Sequence, residues 1–117
     1  RHYGEAWALT SVAEATVLKL TQDYMDFSRR EVETGEPFSD ELDGQLQLLE
    51  QYATKLAGDA VGLMFRTAGT SAAQDDSALQ RYYRDMAVLL THGAAQHDRG
   101  AQGYGRAHFT GGPAGTL

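Results

Sequence analysis

Two apolar stripes of helical period, separated by a short break, constrain this chain more than any other feature of its sequence. From Glu5 to about Glu33, Ala6, Leu9, Ala13, Val17, Leu20, Tyr24 and Phe27 recur in steps of three or four, the period of an amphipathic helix. Gly35 suits the left-handed position that ends a helix and Pro37 cannot continue its hydrogen-bond ladder, so the first helix stops there. Ser39 then stands as N-cap of a second helix that carries Leu42, Leu46, Leu49, Ala53, Leu56, Ala60 and Met64 on one face. Each stripe must bury itself against another element, and the stable solution is helix on helix.

Gly58 and Gly62 lie one turn apart inside the second helix, at a cost of about 1 kcal/mol each relative to alanine. Glycines at that spacing admit a second backbone, and Asp59 between them places the contact in a water-soluble bundle or oligomer rather than in lipid. Gly69, Thr70 and Ser71 break the pattern, and Gln74 to Ser77 form a polar turn whose serine can cap a third helix. Along that helix Leu79, Tyr83, Met86, Leu90 and Ala94 form the apolar stripe, with His97 in line. From Gly100 onward the glycines and Pro113 predict irregular chain. No alternating strand pattern appears. The expected fold is all-α: an antiparallel bundle of three long helices over residues 1–99, followed by a Gly-rich flexible tail over 100–117.

Composition narrows the function classes. The 117 residues amount to one domain. No cysteine is present, which excludes disulfides and thiolate metal sites, and no apolar run approaches the roughly 20 residues of a membrane helix. With no apolar leader, a cytoplasmic setting is the expectation. A net charge of -6 argues against a nucleic-acid backbone partner. The charge is uneven: residues 1–76 carry six bases and fourteen acids, residues 77–117 four bases and two acids. An anionic or electron-rich ligand is therefore expected against the second part.

Several familiar sites can be set aside. The glycines of residues 100–105 follow a helix and lack the Gly-Lys-Ser/Thr ending of a phosphate loop. No Glu has a His three residues later, as a di-iron bundle requires. His92 and His97 lie about 140° apart on a helical wheel, so a zinc ion would need His108 or Asp98 as well. What remains is a polar stripe of Arg81, Asp85 and His92, facing away from Leu79 and Met86. Spacing alone favours a plain reading, an ordinary i,i+4 surface pair with a solvated histidine.

At this stripe the sequence resembles a known family. Phe65, Ala68-Gly69-Thr70-Ser71, Leu79-Gln80-Arg81, Arg84-Asp85 and His92 match, in order and spacing, the C-terminal helical domain of the acyl-CoA dehydrogenase-like flavin-dependent monooxygenases. The match is good from about Ala53 to His97, weaker but collinear back to Glu5, and absent after Asp98. Dehydrogenases of the medium-chain type carry a catalytic glutamate just past the Arg-Asp pair, where this chain reads Thr91-His92-Gly93.

The resemblance implies a catalytic His92 beside the flavin ring, where oxygen adds to the reduced cofactor and a C4a-hydroperoxide forms. An imidazole that donates a hydrogen bond and titrates near neutrality meets that demand. It further implies that Gly69, Thr70, Ser71 and Arg81 bind flavin near a subunit interface, with Gly58 and Gly62 as close-packing positions and Arg84 and Asp85 as structural supports. Reduced FAD or FMN and O2 are the implied cofactor and co-substrate. The implied partners are a separate flavin reductase, a small-molecule substrate to be hydroxylated or N-oxidised, and further copies of the chain, commonly in a tetramer. The family fold places an N-terminal helical domain and a β-barrel before a four-helix domain, so with Arg1 in place of methionine the chain reads as the end of a larger flavoenzyme. An acyl-CoA dehydrogenase with its base elsewhere, and a non-catalytic helical interaction domain, are the alternatives.

Overall fold

The computed structural model describes residues 1–68, 78–92 and 96–111, and among these every regular element is helical. Helix α1 spans His2–Thr34 and ends where Gly35 takes the left-handed conformation (φ 74°), its N–H donating to the Glu31 carbonyl. Helix α2 spans Asp40–Thr67. Ser39 caps it, the hydroxyl oxygen accepting from the Leu42 N–H at 3.2 Å, and Asp40, Glu41 and Asp43 place negative charge on the positive end of the helix dipole. Between the two helices Phe38 folds back onto Tyr24 and Phe27, with ring centroids 6.3 and 5.7 Å apart, closing an antiparallel hairpin.

The seam of that hairpin is built largely from small side chains. Ala6, Ala13 and Leu20 of α1 and Leu46, Ala53 and Ala60 of α2 are its buried apolar residues, so the two backbones approach closely and bury little apolar volume. All-α architecture and both long helices stand as the sequence predicts.

The third helix does not. Helix α3 covers only Ala78–Leu90; a turn follows, and a fourth helix, α4, occupies His97–Thr110, where irregular chain is expected from Gly100. Residues 112–117 of the expected tail lie outside the described residues. Both α3 and α4 run antiparallel to α2, one after the other. Helix α3 covers the C-terminal half of α2: Tyr83 stacks on Phe65 with centroids 4.3 Å apart, and Leu90 sits over Gly58. Helix α4 covers the N-terminal half: His97 meets Tyr52 edge-on at 5.1 Å, and Tyr104 receives a hydrogen bond from Gln45 at 2.8 Å.

Glycine content misleads at α4 because its conformational cost is offset by close approach. A Cβ on Gly100 would fall 1.7 Å from the Gln51 side-chain oxygen, so only glycine lets that side chain lie against the α4 backbone, and Gly103 is buried one turn on. Glu41 completes the attachment by accepting from His108 Nδ1 at 2.5 Å and from the Tyr104 hydroxyl at 3.4 Å.

Helix α2 packs against each of the other three, and none of those three packs against another. The result is open. Its radius of gyration is 17.3 Å, against about 13.4 Å for a compact domain of this length. Its accessible surface is 7958 Å², against roughly 6,200 Å² for a closed monomer of this mass.

Candidate functional site

The polar stripe occupies the outer face of α3 and the turn after it. Leu79, Met86 and Leu90 are partly buried toward α2, while Arg81, Arg84, Asp85 and His92 are exposed. His92 lies past the last helical residue, held by a tight turn in which its N–H donates to the Leu89 carbonyl at 3.0 Å and the Thr91 N–H to the Val88 carbonyl at 3.1 Å. This break stands over the middle of α2, between Gly58, which meets Leu90, and Tyr52, which meets His97.

Arg81 and Asp85 do not form the i,i+4 ion pair that their spacing allows; among the described residues neither they nor Arg84 belongs to a salt bridge. The Arg81 guanidinium instead lies 5.8 Å from the centroid of its neighbour Tyr82. Gly69, Thr70 and Ser71, expected to join the stripe, lie outside the described residues. His97 starts α4 instead of ending the third helix, which takes it off the apolar stripe expected there.

Gly58 and Gly62, expected as close-packing positions in a bundle or an oligomer, pack within the bundle and are covered by α3 of the same chain: a Cβ on Gly58 would meet Leu90 Cδ1 at 2.8 Å, and one on Gly62 would come within 4.0 Å of the Tyr83 ring. They set how deeply α3 seats, and hence where the stripe stands.

Beside the stripe runs a groove that sequence reasoning missed. Helices α1 and α3 flank α2 without meeting, leaving two adjoining hollows of about 420 and 590 Å³ that share Thr10 and Ala57. Tyr3, Trp7, Met64, Leu79 and Tyr82 line the first; Val17, Leu18, Met86 and Leu89 wall the second, with Glu14 and Glu50 as its charged residues. Signals for it lie in α1, where Trp7 and Leu18 fall off the predicted stripe and are exposed, Trp7 by 64%. At the far end of the hairpin Tyr24 donates to Asp43 at 3.4 Å. Burial first, then the charges of Asp43 and Glu50, raises its phenol above the ordinary 10.0.

Geometry thus defines a helical domain, open along one side, with a basic and imidazole-bearing stripe at a break over its central helix. A family model described as acyl-CoA dehydrogenase, C-terminal domain, matches residues 3–97, and the chain belongs to that family of flavin oxidoreductases. The matched span ends where α4 begins, as does the motif resemblance. No curated protein and no solved structure matches the chain. No described helix is long and apolar enough to cross a membrane.

Proposed function

We propose that this chain is the C-terminal helical domain of a flavin-dependent monooxygenase that receives reduced FAD or FMN from a separate reductase, works as a homo-oligomer, and hydroxylates an aromatic ring or oxidises an amine. The observation that carries this reading is Thr91-His92-Gly93 at the break after α3: an imidazole, with no carboxylate, stands just past the Arg84-Asp85 pair of a flavoprotein-family domain. A dehydrogenase needs a carboxylate base to remove the α-proton of an acyl thioester. His92 instead offers an imidazole ring N–H as a hydrogen-bond donor.

The residues present fit a flavin. Its ring is planar, rich in acceptors along one edge and anionic when reduced, and Arg81 brings a planar five-donor guanidinium that no carboxylate in the described structure occupies. When bound, reduced flavin supplies the electrons for O2 activation. His92 would help hold the group through a ring N–H that can donate a hydrogen bond at the break after α3. Asp85 and Arg84 are, by the same resemblance, structural supports of the stripe rather than groups that touch the flavin. Gly69, Thr70 and Ser71 line the flavin by resemblance. Because the stripe is exposed, further protein must cover it to exclude water.

The test uses the holoenzyme that contains this domain. His92→Ala is expected to raise the share of consumed O2 released as hydrogen peroxide while flavin stays bound. Unchanged coupling of O2 use to product would sink the assignment of His92. Anaerobic bleaching of the oxidised bound flavin by an acyl-CoA would overturn the monooxygenase reading in favour of a dehydrogenase.

A further inference from the structure

We propose that α4 is a strap that lifts off α2 as one unit while the α1–α2 hairpin stays closed, that Glu41 is its clasp, and that its docking braces the turn carrying His92. None of this depends on what the stripe binds.

The kind of contact is the first reason. Helix α4 packs against α2 alone. It contains no Leu, Ile, Val or Met, its Phe109 is 87% exposed, and the one residue it buries is Gly103. Apolar side chains seat α3, with Tyr83 on Phe65 and Leu90 over Gly58. Hydrogen bonds at exposed positions seat α4, from Gln45 to the Tyr104 hydroxyl and from Tyr104 and His108 to Glu41, and water replaces such bonds at small cost.

What docking costs is the second. Gly100, Gly103 and Gly105 all lie within α4, and each disfavours the helix about fivefold relative to alanine. Off α2, a helix of 14 residues with those glycines does not hold its own hydrogen bonds, so release and unfolding of α4 are one event. Docking also leaves the Gln51 side-chain oxygen buried against Gly100 without a hydrogen-bond partner, and water reaches it once α4 lifts. Such a helix opens far more readily than the seam of Ala13, Leu20, Ala53 and Ala60.

The two ends of α4 give the third reason. At the far end Glu41 accepts from both His108 Nδ1 at 2.5 Å and the Tyr104 hydroxyl at 3.4 Å. Glu41 stands in the first turn of α2 and His108 in the last turn of α4, so the helix dipoles favour negative charge on one and positive charge on the other where they meet. At the near end Gln96, whose carbonyl accepts from the Gly100 N–H at 3.1 Å, donates through its side chain to the Thr91 carbonyl at 3.4 Å, and Arg99 donates to the Gln96 side-chain oxygen at 3.3 Å. Docked α4 therefore steadies the turn of Thr91 and His92, and release withdraws that brace.

The experiment is native-state amide hydrogen exchange, read residue by residue by NMR on the intact chain without flavin, in rising sub-denaturing urea. Amides from Ala101 to Thr110 should share one opening that depends weakly on urea, and exchange about a hundredfold or more faster than those of Ala13, Leu20, Ala53 and Ala60. Glu41→Ala should speed exchange roughly three- to tenfold across α4 and at Thr91 and His92, with the seam unmoved. His108→Ala, on the other side of the contact, should act in the same direction. Asp40→Ala changes the same turn of α2 at a residue that no hydrogen bond or ion pair among the described residues joins to α4, and should leave α4 unchanged. Gly105→Ala, where a Cβ meets nothing within 4 Å, should slow α4 exchange about fivefold. Amides of α4 that exchange together with the seam in one strongly urea-dependent event, or that ignore Glu41→Ala, would overturn the strap. Thr91 and His92 amides that fail to follow α4 in Glu41→Ala would overturn the brace. Because no flavin is present, either result leaves the flavin reading to the peroxide assay on the holoenzyme.

Discussion

Three glycines in helix interiors share one backbone cost and differ in what surrounds them, so alanine at each separates propensity from packing. At Gly105 in α4 a new Cβ meets nothing within 4 Å. Gly105→Ala should therefore gain the full helix-propensity difference of about 1 kcal/mol. On a domain of 117 residues, unfolding entropy is about 0.25 kcal/mol/K, so Tm rises by about 4 K. At Gly58 the new Cβ would lie 2.8 Å from Leu90 Cδ1 and 3.3 Å from Met86 Cγ. Normal carbon contact is about 3.5–4.0 Å, so the Leu90 methyl must withdraw by up to 1 Å, at a rotamer cost of about 0.5–1.5 kcal/mol. That offsets the propensity gain, and Gly58→Ala should leave Tm within about 2 K of the parent. Gly58→Leu cannot be absorbed by one methyl; it lifts α3 off α2 and should cost about 1–3 kcal/mol. At Gly100 the new Cβ would lie 1.7 Å from the Gln51 oxygen and 2.7 Å from Cδ, the free end of a flexible side chain whose buried oxygen has no hydrogen-bond partner, so Gly100→Ala displaces that amide and should raise Tm by less than Gly105→Ala does. Thermal unfolding followed at 222 nm reads all four. Equal gains at Gly58 and Gly105, or a Gly58→Leu variant as stable as the parent, would show that α3 does not rest on Gly58, and the placement of the stripe would fall with it.

Two further outcomes follow from local structure. Ser39→Ala removes the cap on the Leu42 N–H and should cost about 1 kcal/mol, with Ser39→Asp restoring most of it; no change in urea midpoint would argue against the cap. Tyr24 holds its proton more tightly folded than unfolded, so the stability it gives is fully present below pH 10 and is lost as pH rises through the higher folded value. Tyr24→Phe, which cannot ionise, should therefore lose less stability than the parent between pH 9 and 11, and parallel pH profiles would refute the burial and acidic neighbours assigned to that phenol.

How much of this was legible in the sequence follows from what each residue must satisfy. The α1–α2 hairpin was readable because Ala6, Ala13, Leu20, Leu46, Ala53 and Ala60 keep strict helical spacing and Gly35, Pro37 and Ser39 punctuate it with their own chemistry. The break at Thr91 and His92 was not, since the stripe of Leu79 to Leu90 continues in phase through Ala94 to His97 and nothing local stops it. Helix α4 was hidden by its glycines, which weaken a helix in isolation but here make room for Gln51 and the buried contact at Gly103. A finer signal was available in Tyr104 and His108, whose i,i+4 spacing places both on Glu41. Arg81, Asp85 and His92 were read as facing away from the apolar stripe and all three are exposed, but a helical wheel could not show that a groove runs beside them, because that depends on α1 and α3 failing to meet.

The groove and the stripe bear on one another through the stability of α3. A helix of 13 residues is marginal on its own in water, and α3 has no buried residue: Leu79, Met86 and Leu90 are only partly covered by α2, and Tyr82, Val88 and Leu89 face outward. The residues proposed to meet flavin therefore stand on the least supported helix of the domain. Protein laid over the outer face of α3 would cover those apolar side chains and hold Arg81 and His92 in one position, reducing the ordering cost that a ligand must otherwise meet. Binding linkage then runs both ways: whatever free energy such a contact contributes to fixing α3 would reappear as tighter binding of flavin at the proposed stripe, and bound flavin would tighten the contact by the same factor. A stripe lodged on one of the long helices, already fixed along the α1–α2 seam, would show no such coupling. An exposed stripe and an incompletely buried helix are thus two aspects of one arrangement, in which α3 takes its remaining support from whatever covers its outer face.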